Sequence, residues 1–489
     1  MKPNFLTLKS ICLSLFISFC AQVLAQAEEG KKWTLDDCIN YAYEHNIQVQ
    51  QNILDMRIAE QDLKASKYSV LPNLNGSAAH IYNFGQTIDP FTNTFATTQV
   101  RSNQLGLSST LTIFDGFRNV NNVKLSQAQL DANRYNLEAI KNDIALNIAN
   151  AYLQILFNQE LAKNAANQMK VTEIQVERIE KQVKAGVLPE GNLQEIQAQL
   201  ATEELQYVNA DNQLRLSKIN LTQLLNLEIY DEIQVVEPDL DAFQGESELV
   251  NPGVLYESAV QEMPEIKSAE YNYFAAEKST SVAKGRYYPT LNLTGSVGSG
   301  YSGANRIRTG DGTNIGRVPI GQVAGSGQQV LSLQEQTIFD DNDFRTKVWD
   351  DQLQDNFNTS VGFRLSIPLF NGLSSRIGVQ RAKLNMKNAE LNLENSKLQL
   401  RQNIESAHAE AVAALKRYKA ATKSVQALET SFEYTNQRFT VGLLNTFDFN
   451  NEKNRLNNAR SELLQAKYEY IFRTKVLDFY RGQTLSFNN

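Results

Sequence analysis

The chain has 489 residues, 42% of them hydrophobic and only 10 of them proline, and 47 basic against 54 acidic side chains leave a net charge of −7. That balance argues against nucleic acid as a partner, and three cysteines are too few for a disulfide-stapled scaffold. Abundant Asn, Gln, Ala, Leu, Glu and Lys favour long helices, yet Gly, Ser and Thr cluster at about 73–115 and 290–370, so two structural regimes share one chain.

Lys2 and Lys9 flank the start of an apolar run at 11–20, and Val23, Leu24 and Ala25 offer the small residues a signal peptidase reads. Residues 1–25 therefore read as a signal peptide, with cleavage after Ala27 as the alternative. Ile17-Ser18-Phe19-Cys20 also suggests a lipoprotein site, but Phe19 stands where a small residue is wanted. Cleavage removes Cys12 and Cys20, leaves Cys38 alone, and takes two lysines away, so the charge moves from −7 to −9. No later stretch is long and apolar enough for a membrane-spanning helix. An exported chain of this kind is either soluble outside the inner membrane or part of a β-barrel in the outer one.

Thr34 and Asp37 suit a helix start with a capping box. The first helix is expected to run to about Ser69, where Leu71-Pro72 closes it, because the residue before a proline is pushed out of helical backbone. The period then changes to two: Leu105, Leu107, Leu111 and Ile113 alternate with Gly106, Ser108, Thr110 and Thr112. A soluble antiparallel sheet with one wet face would look similar, but such strands are about ten residues long, enough to cross a bilayer at a tilt. After Gly116, Val123, Leu130, Leu137, Ile144 and Ala151 recur every seventh residue, a coiled-coil pattern. An unbroken helix over 118–184 would be about 100 Å long at roughly 1.5 Å per residue. Gly186 and the turn Leu188-Pro189-Glu190-Gly191 end it, and a return helix follows at 191–226. Residues 227–252 are acidic, with one short strand candidate at 233–236, and read as an equatorial linker.

The same order then repeats: a helix from Val254 to about Arg286, Pro289, a hairpin at 290–371, a long helix at 374–440 and a return helix at 446–480. Pro289 lies 217 residues after Pro72, whereas Gly372 and Gly442 lie 256 after Gly116 and Gly186. The two repeats, 26–226 and 253–489, thus differ by a 39-residue insertion in the second hairpin, placed at 301–356; it is polar and Gly-rich and, on a channel reading, is expected to be a disordered extracellular loop over the mouth, with a regulatory lid as the alternative. Four strands cannot close a barrel, and lipid does not tolerate an open edge, so a membrane reading requires oligomers.

These marks resemble the TolC-like outer-membrane efflux protein family: Leu71-Pro72 and Tyr288-Pro289, Leu111 to Gly116 with its variant Pro368-Leu369-Phe370-Asn371-Gly372, and the Gly turns followed six residues later by Asn192 and Asp448. The resemblance implies a mainly α fold with a membrane β-barrel. A duplicated helix–β-hairpin–long-helix unit would build, as a homotrimer, one twelve-stranded barrel in outer-membrane lipid and a long α-helical periplasmic tunnel. It also implies a periplasmic adaptor protein and an inner-membrane transporter as partners, for efflux or type I secretion, with no cofactor.

On that reading Gly186 and Gly442 mark the periplasmic tip. Asp448, Asn192, Arg438 and Asn451 are candidates for its gate. Three copies of Asp448 would attract cations, although an acid at a helix start is also favoured by the helix dipole. Members of the family often carry acids where this chain has Asn192 and Asn451, which weakens the analogy for closing salt bridges. Gly186, Val187, Leu188, Gly442, Leu443 and Leu444 are candidates for adaptor contact, because apolar residues at turns need a cover. Arg364 alternates with apolar residues and is expected to face the lumen. Tyr82, Phe84, Phe114, Phe117 and Phe370 suit an aromatic girdle or packing at the strand ends. Gly298, Gly300 and Gly303 match a dinucleotide fingerprint without the helix it needs, and are read as loop. His45, His80 and His408 are scattered, and no nucleophile elbow or phosphate loop is present, so the chain does not read as an enzyme. The competing class, a periplasmic coiled-coil adaptor or rod without a pore, explains the helices but leaves both hairpins unused.

Overall fold

The computed structural model describes residues 32–93, 95–96, 99–228, 233–237, 250–483 and 485, as two units. The proposed signal segment and most of 227–252 lie outside the described residues. The helices in chain order are α1 (Leu35–His45), α2 (Ile47–Tyr68), α3 (Arg118–Lys184), α4 (Glu190–Leu225), α5 (Pro252–Glu262), α6 (Pro264–Gly285), α7 (Trp349–Asp355), α8 (Ser374–Thr440) and α9 (Thr446–Tyr480). The strands are β1 (Lys32–Trp33), β2 (Asn73–Asn83), β3 (Thr87–Ile88), β4 (Phe95–Ala96), β5 (Val100–Phe114), β6 (Gln234–Val235) and β7 (Thr290–Ser302). They continue with β8 (Arg306–Arg308), β9 (Thr313–Gly316), β10 (Pro319–Gln322), β11 (Gln329–Leu331), β12 (Gln336–Ile338), β13 (Phe344–Thr346) and β14 (Asn358–Ser366).

One unit comprises Met1–Gln61, Ala128–Phe274 and Lys387–Asn489. Its first helix begins with the capping box: the Thr34 hydroxyl accepts from the Asp37 N–H at 3.1 Å, and Asp37 accepts from the Thr34 N–H at 3.1 Å. The expected single helix to Ser69 is instead two, because Asn46 is extended and its side-chain oxygen caps the restart at Gln48 and Val49. Met263, 217 residues later, is extended too, there because Pro264 opens α6. Two different chemistries make the same break at equivalent positions.

The cores of the unit repeat in the same way. Cys38, Ala42, Val49, Ile144, Ile148, Ile155 and Leu221 are buried together in one cluster. Leu255, Ala259, Ile266, Leu400, Ile404, Ala411 and Leu477 stand at the matching positions in the other. Cys38 therefore serves as a small hydrophobe where the second copy has leucine. The parallel β1–β6 pair is fastened to the first core by the Tyr152 hydroxyl, 3.0 Å from the Trp33 carbonyl and 2.7 Å from that of Val236.

The other unit comprises Asp62–Gln127 and Ala275–Met386. Its main sheet has the order β14-β7-β5-β2, antiparallel throughout, so β2 and β14 are its free edges. Register puts Leu107, Val297, Leu111, Leu293 and Phe363 on one face, and Asn75, Ser108, Ser296 and Ser360 on the other. A sheet apolar on one face and polar on the other fits a barrel wall between lipid and water. Gly298 and Gly300 lie inside β7, so the expected loop there is strand: glycine lets another chain approach closely, and a Cβ at Gly300 would lie 2.0 Å from the Phe91 ring.

Each hairpin leaves the sheet through two successive left-handed residues, Gly116 and Phe117 or Gly372 and Leu373, with φ between 61° and 74°. At Gly116 glycine is required twice over, because a Cβ would sit 2.4 Å from the Gly285 carbonyl oxygen. The insertion corrects the expectation of an irregular loop. It forms a continuous ribbon of paired strands, β8–β13, β9–β12 and β10–β11, followed by α7. Period-two patterning is weak there because neither side of the ribbon is buried.

Candidate functional tip and channel wall

Both long helices stop in the same way. The Val187 N–H donates to the Gln182 carbonyl at 2.9 Å and the Gly186 N–H to that of Val183 at 2.9 Å. In the second copy Leu443 donates to Arg438 at 2.9 Å and Gly442 to Phe439 at 3.1 Å. These are Schellman caps, which need a left-handed residue and so select glycine, with φ of 73° at Gly186 and 76° at Gly442. The next side chains, Val187 and Leu443, are exposed, while Leu188 and Leu444 are half-buried.

Asn445 caps α9 by accepting from the Asp448 N–H at 2.8 Å. The Asp448 carboxylate is therefore not the capping group; it is exposed, one turn before exposed Asn451. Arg438 is exposed near the end of α8, and Asn192 is half-buried in the first turn of α4. Arg364, on β14, faces the polar side of the sheet, in register with Asn292 and Thr112.

Three features of the helices that meet at the tip escape the sequence reading. Phe449 is buried and stacks on Phe439 with centroids 4.3 Å apart, with Phe432 5.5 Å away, which pins α9 to α8. The seven-residue spacing of Phe432 and Phe439 was the available signal. Arg460–Glu429, Arg417–Glu469 and Arg473–Glu410 then pair along the same two helices at 2.6–2.7 Å.

Deeper still, Lys453 of α9 reaches into the first repeat. Its Nζ lies 2.9 Å from Thr172 Oγ1 and 3.7 Å from Glu203 Oε1, and both charged side chains are nearly out of water. Gln168 and Gln199 donate to the same Glu203 oxygen at 3.1 and 2.7 Å. Burial pushes the Lys453 ammonium below its ordinary range, and the Glu203 charge opposes that shift. No sequence pattern announces this pair, since each residue alone reads as a solvated helix charge.

A family model described as outer membrane efflux protein matches residues 38–227 and 255–477. The chain belongs to the outer membrane efflux protein family. Outer membrane efflux protein BepC of Brucella suis biovar 1 is 20% identical over 440 residues, which cover 90% of this chain and 83% of that protein. Among solved structures, the CmeC outer membrane channel of Campylobacter jejuni superposes with a TM-score of 0.70 at 18% identity, covering 91% of this chain and 84% of its own. The outer membrane protein VceC of Vibrio cholerae gives 0.68 at 17%, covering 92% and 96%. At these identities the solved structures speak to the fold, and the family match speaks to the role. The chain is an outer-membrane efflux channel that extends into the periplasm, and a transport protein rather than an enzyme. A periplasmic rod without a pore is not favoured.

Proposed function

We propose that three copies of the chain form one channel, which passively carries cargo from an inner-membrane transporter through the periplasm and across the outer membrane. The observation that carries this reading is an uncovered stripe on α8. Ile377, Leu384, Leu391 and Leu398 recur every seventh residue and are 50–71% exposed. The first repeat has Asn121, Ala128, Tyr135 and Asn142 at the matching positions, so the stripe is not a general property of the rods. An apolar heptad seam facing water calls for another helix, and the two free edges of the sheet call for other strands. A second copy supplies both.

In this reading residues 1–25 are a signal peptide and the two repeats, 26–226 and 253–489, flank the linker 227–252. Asp448, with Asn192, Asn451 and Arg438 nearby, forms the gate at the periplasmic mouth. The turns Gly186-Val187-Leu188 and Gly442-Leu443-Leu444 meet the adaptor, because each presents one exposed apolar side chain, Val187 or Leu443. Arg364 lines the lumen. Light scattering on detergent-purified protein, with single-channel recording of the same sample, tests the assembly: three chains and stable conductance are expected. A monomer that conducts nothing overturns it.

A further inference from the structure

The ribbon at 306–346 is built rather than loose. Its root is a buried polar latch within the sheet-bearing unit. Gln352 is fully buried, accepts from the Ser302 N–H at 2.9 Å, and donates to the carbonyls of Ser302 at 3.0 Å and Lys347 at 2.8 Å. Ser302 donates in turn to buried Asp89, from the loop between β2 and β5. Burial disfavours the Asp89 charge, but bonds from Ser302, the Thr92 and Phe91 N–H groups and the Thr92 hydroxyl outweigh it and hold the carboxyl below its usual range. Asn356 adds a bond to the Gly300 carbonyl at 2.8 Å.

Beyond this root several of the ribbon's apolar side chains stand exposed among the described residues. Each of its three ladders has two strands, and among the described residues no third strand joins any of them. A lone two-stranded ribbon is marginal in water, yet Ile320, Leu331, Leu333 and Ile338 are exposed, Leu333 to 93%. Lipid is an unsuitable cover, because Arg306, Arg308, Arg317, Glu335, Asp340 and Asp341 are interspersed with them.

Position supplies the occupant. The ribbon springs from β7 and β14, and β14 is one free edge of the sheet. At the same end the other free edge, β2, runs into a tip carrying exposed Phe84, Ile88 and Phe95. Closing a barrel sets β14 of one copy against β2 of the next, which brings ribbon and tip together across the seam. We propose that the ribbon is an intersubunit clasp, whose apolar side chains pack on the 83–96 tip of the neighbouring copy. The clasp rests on the multi-copy assembly proposed above and adds a second, extracellular contact to it.

Site-specific photo-crosslinking in intact cells tests this, with a benzoyl-phenylalanine at position 333 and, separately, at 391 on the α8 stripe. The 391 probe reports assembly alone. The expected result is crosslinked species of two and three chain masses from both probes, with the 333 adduct mapped by mass spectrometry to residues 83–96. Phe84→Asp with Phe95→Asp should abolish the 333 adduct and leave that of 391. If 391 crosslinks copies while 333 yields nothing, the neighbour's ribbon, its own chain or another protein, the clasp is overturned and the assembly stands. If 391 also yields no multimer, the assembly reading fails and the clasp fails with it.

Discussion

Replacing Glu203 by leucine should unlock the lower half of α9. The two side chains are 9% and 2% exposed, with Lys453 Nζ 3.7 Å from Glu203 Oε1. Without the carboxylate, the ammonium keeps Thr172 Oγ1 at 2.9 Å as its neutral partner. Leaving one member of a buried pair without its counter-charge costs about 3–5 kcal/mol. An independent bound comes from the lysine's escape by losing its proton. From an ordinary value near 10.4, that costs roughly 4 kcal/mol at about pH 7.5, at ~1.36 kcal/mol per unit. The two routes agree. They correspond to local opening about 10²–10³-fold more frequent, at roughly 1.4 kcal/mol per factor of ten. Hydrogen exchange of peptides covering 449–460 reads that opening directly.

The sign with pH follows from the direction of the shift. A lysine held below its ordinary value in the fold is penalised while charged, so stability lost at neutral pH returns as pH rises toward the ordinary lysine range. The defect of Glu203→Leu should therefore shrink with rising pH, after correction for intrinsic exchange. Adding Lys453→Met should restore protection to within about 1 kcal/mol, since an apolar pair of similar volume replaces a buried ion pair at little cost. Protection within threefold of wild type in the single variant, or a double variant no better than the single, would refute the reasoning.

Gly116→Ala should sharply reduce the yield of heat-modifiable outer-membrane protein, because its Cβ meets the Gly285 carbonyl at 2.4 Å, whereas Gly186→Ala, with open space and a similar φ, should cost only about 1 kcal/mol in a thermal melt. Equal yields from the two would contradict the packing described. Arg364→Glu should shift the reversal potential in a salt gradient toward cation selectivity; an unmoved potential would mean that the side chain does not face the lumen. Asp448→Ala should raise conductance and weaken block by multivalent cations, and unchanged recordings would remove it from the gate. Burial raises the Glu265 carboxyl and Asp143 adds to the shift, so stability from this group is full below the ordinary carboxyl range and is lost as pH rises through the raised value. Glu265→Gln should accordingly melt higher than wild type at pH about 7.5 and lose that advantage as pH falls below about 4; an identical pH dependence in both would count against it.

The sequence by itself determined the class of architecture, because its punctuation is local. Pro72 and Pro289 cannot continue a helix, Gly186 and Gly442 supply the left-handed caps, and the change of period from seven to two depends on neighbours a few residues apart. Equal spacing from Gly116 to Gly186 and from Gly372 to Gly442 made the duplication legible, and the second core then repeated part of the first at the same offsets, from Cys38 and Leu255 to Leu221 and Leu477. Tertiary structure alone decided what depends on partners far along the chain. Lys453 and Glu203 are 250 residues apart and ordinary on their own helices. The break at Asn46 needed a capping bond, with no proline to announce it. The insertion gave no strand signal, since a ribbon wet on both sides need not alternate. Its order comes from Gln352, Ser302 and Asp89, polar residues whose burial no local pattern records.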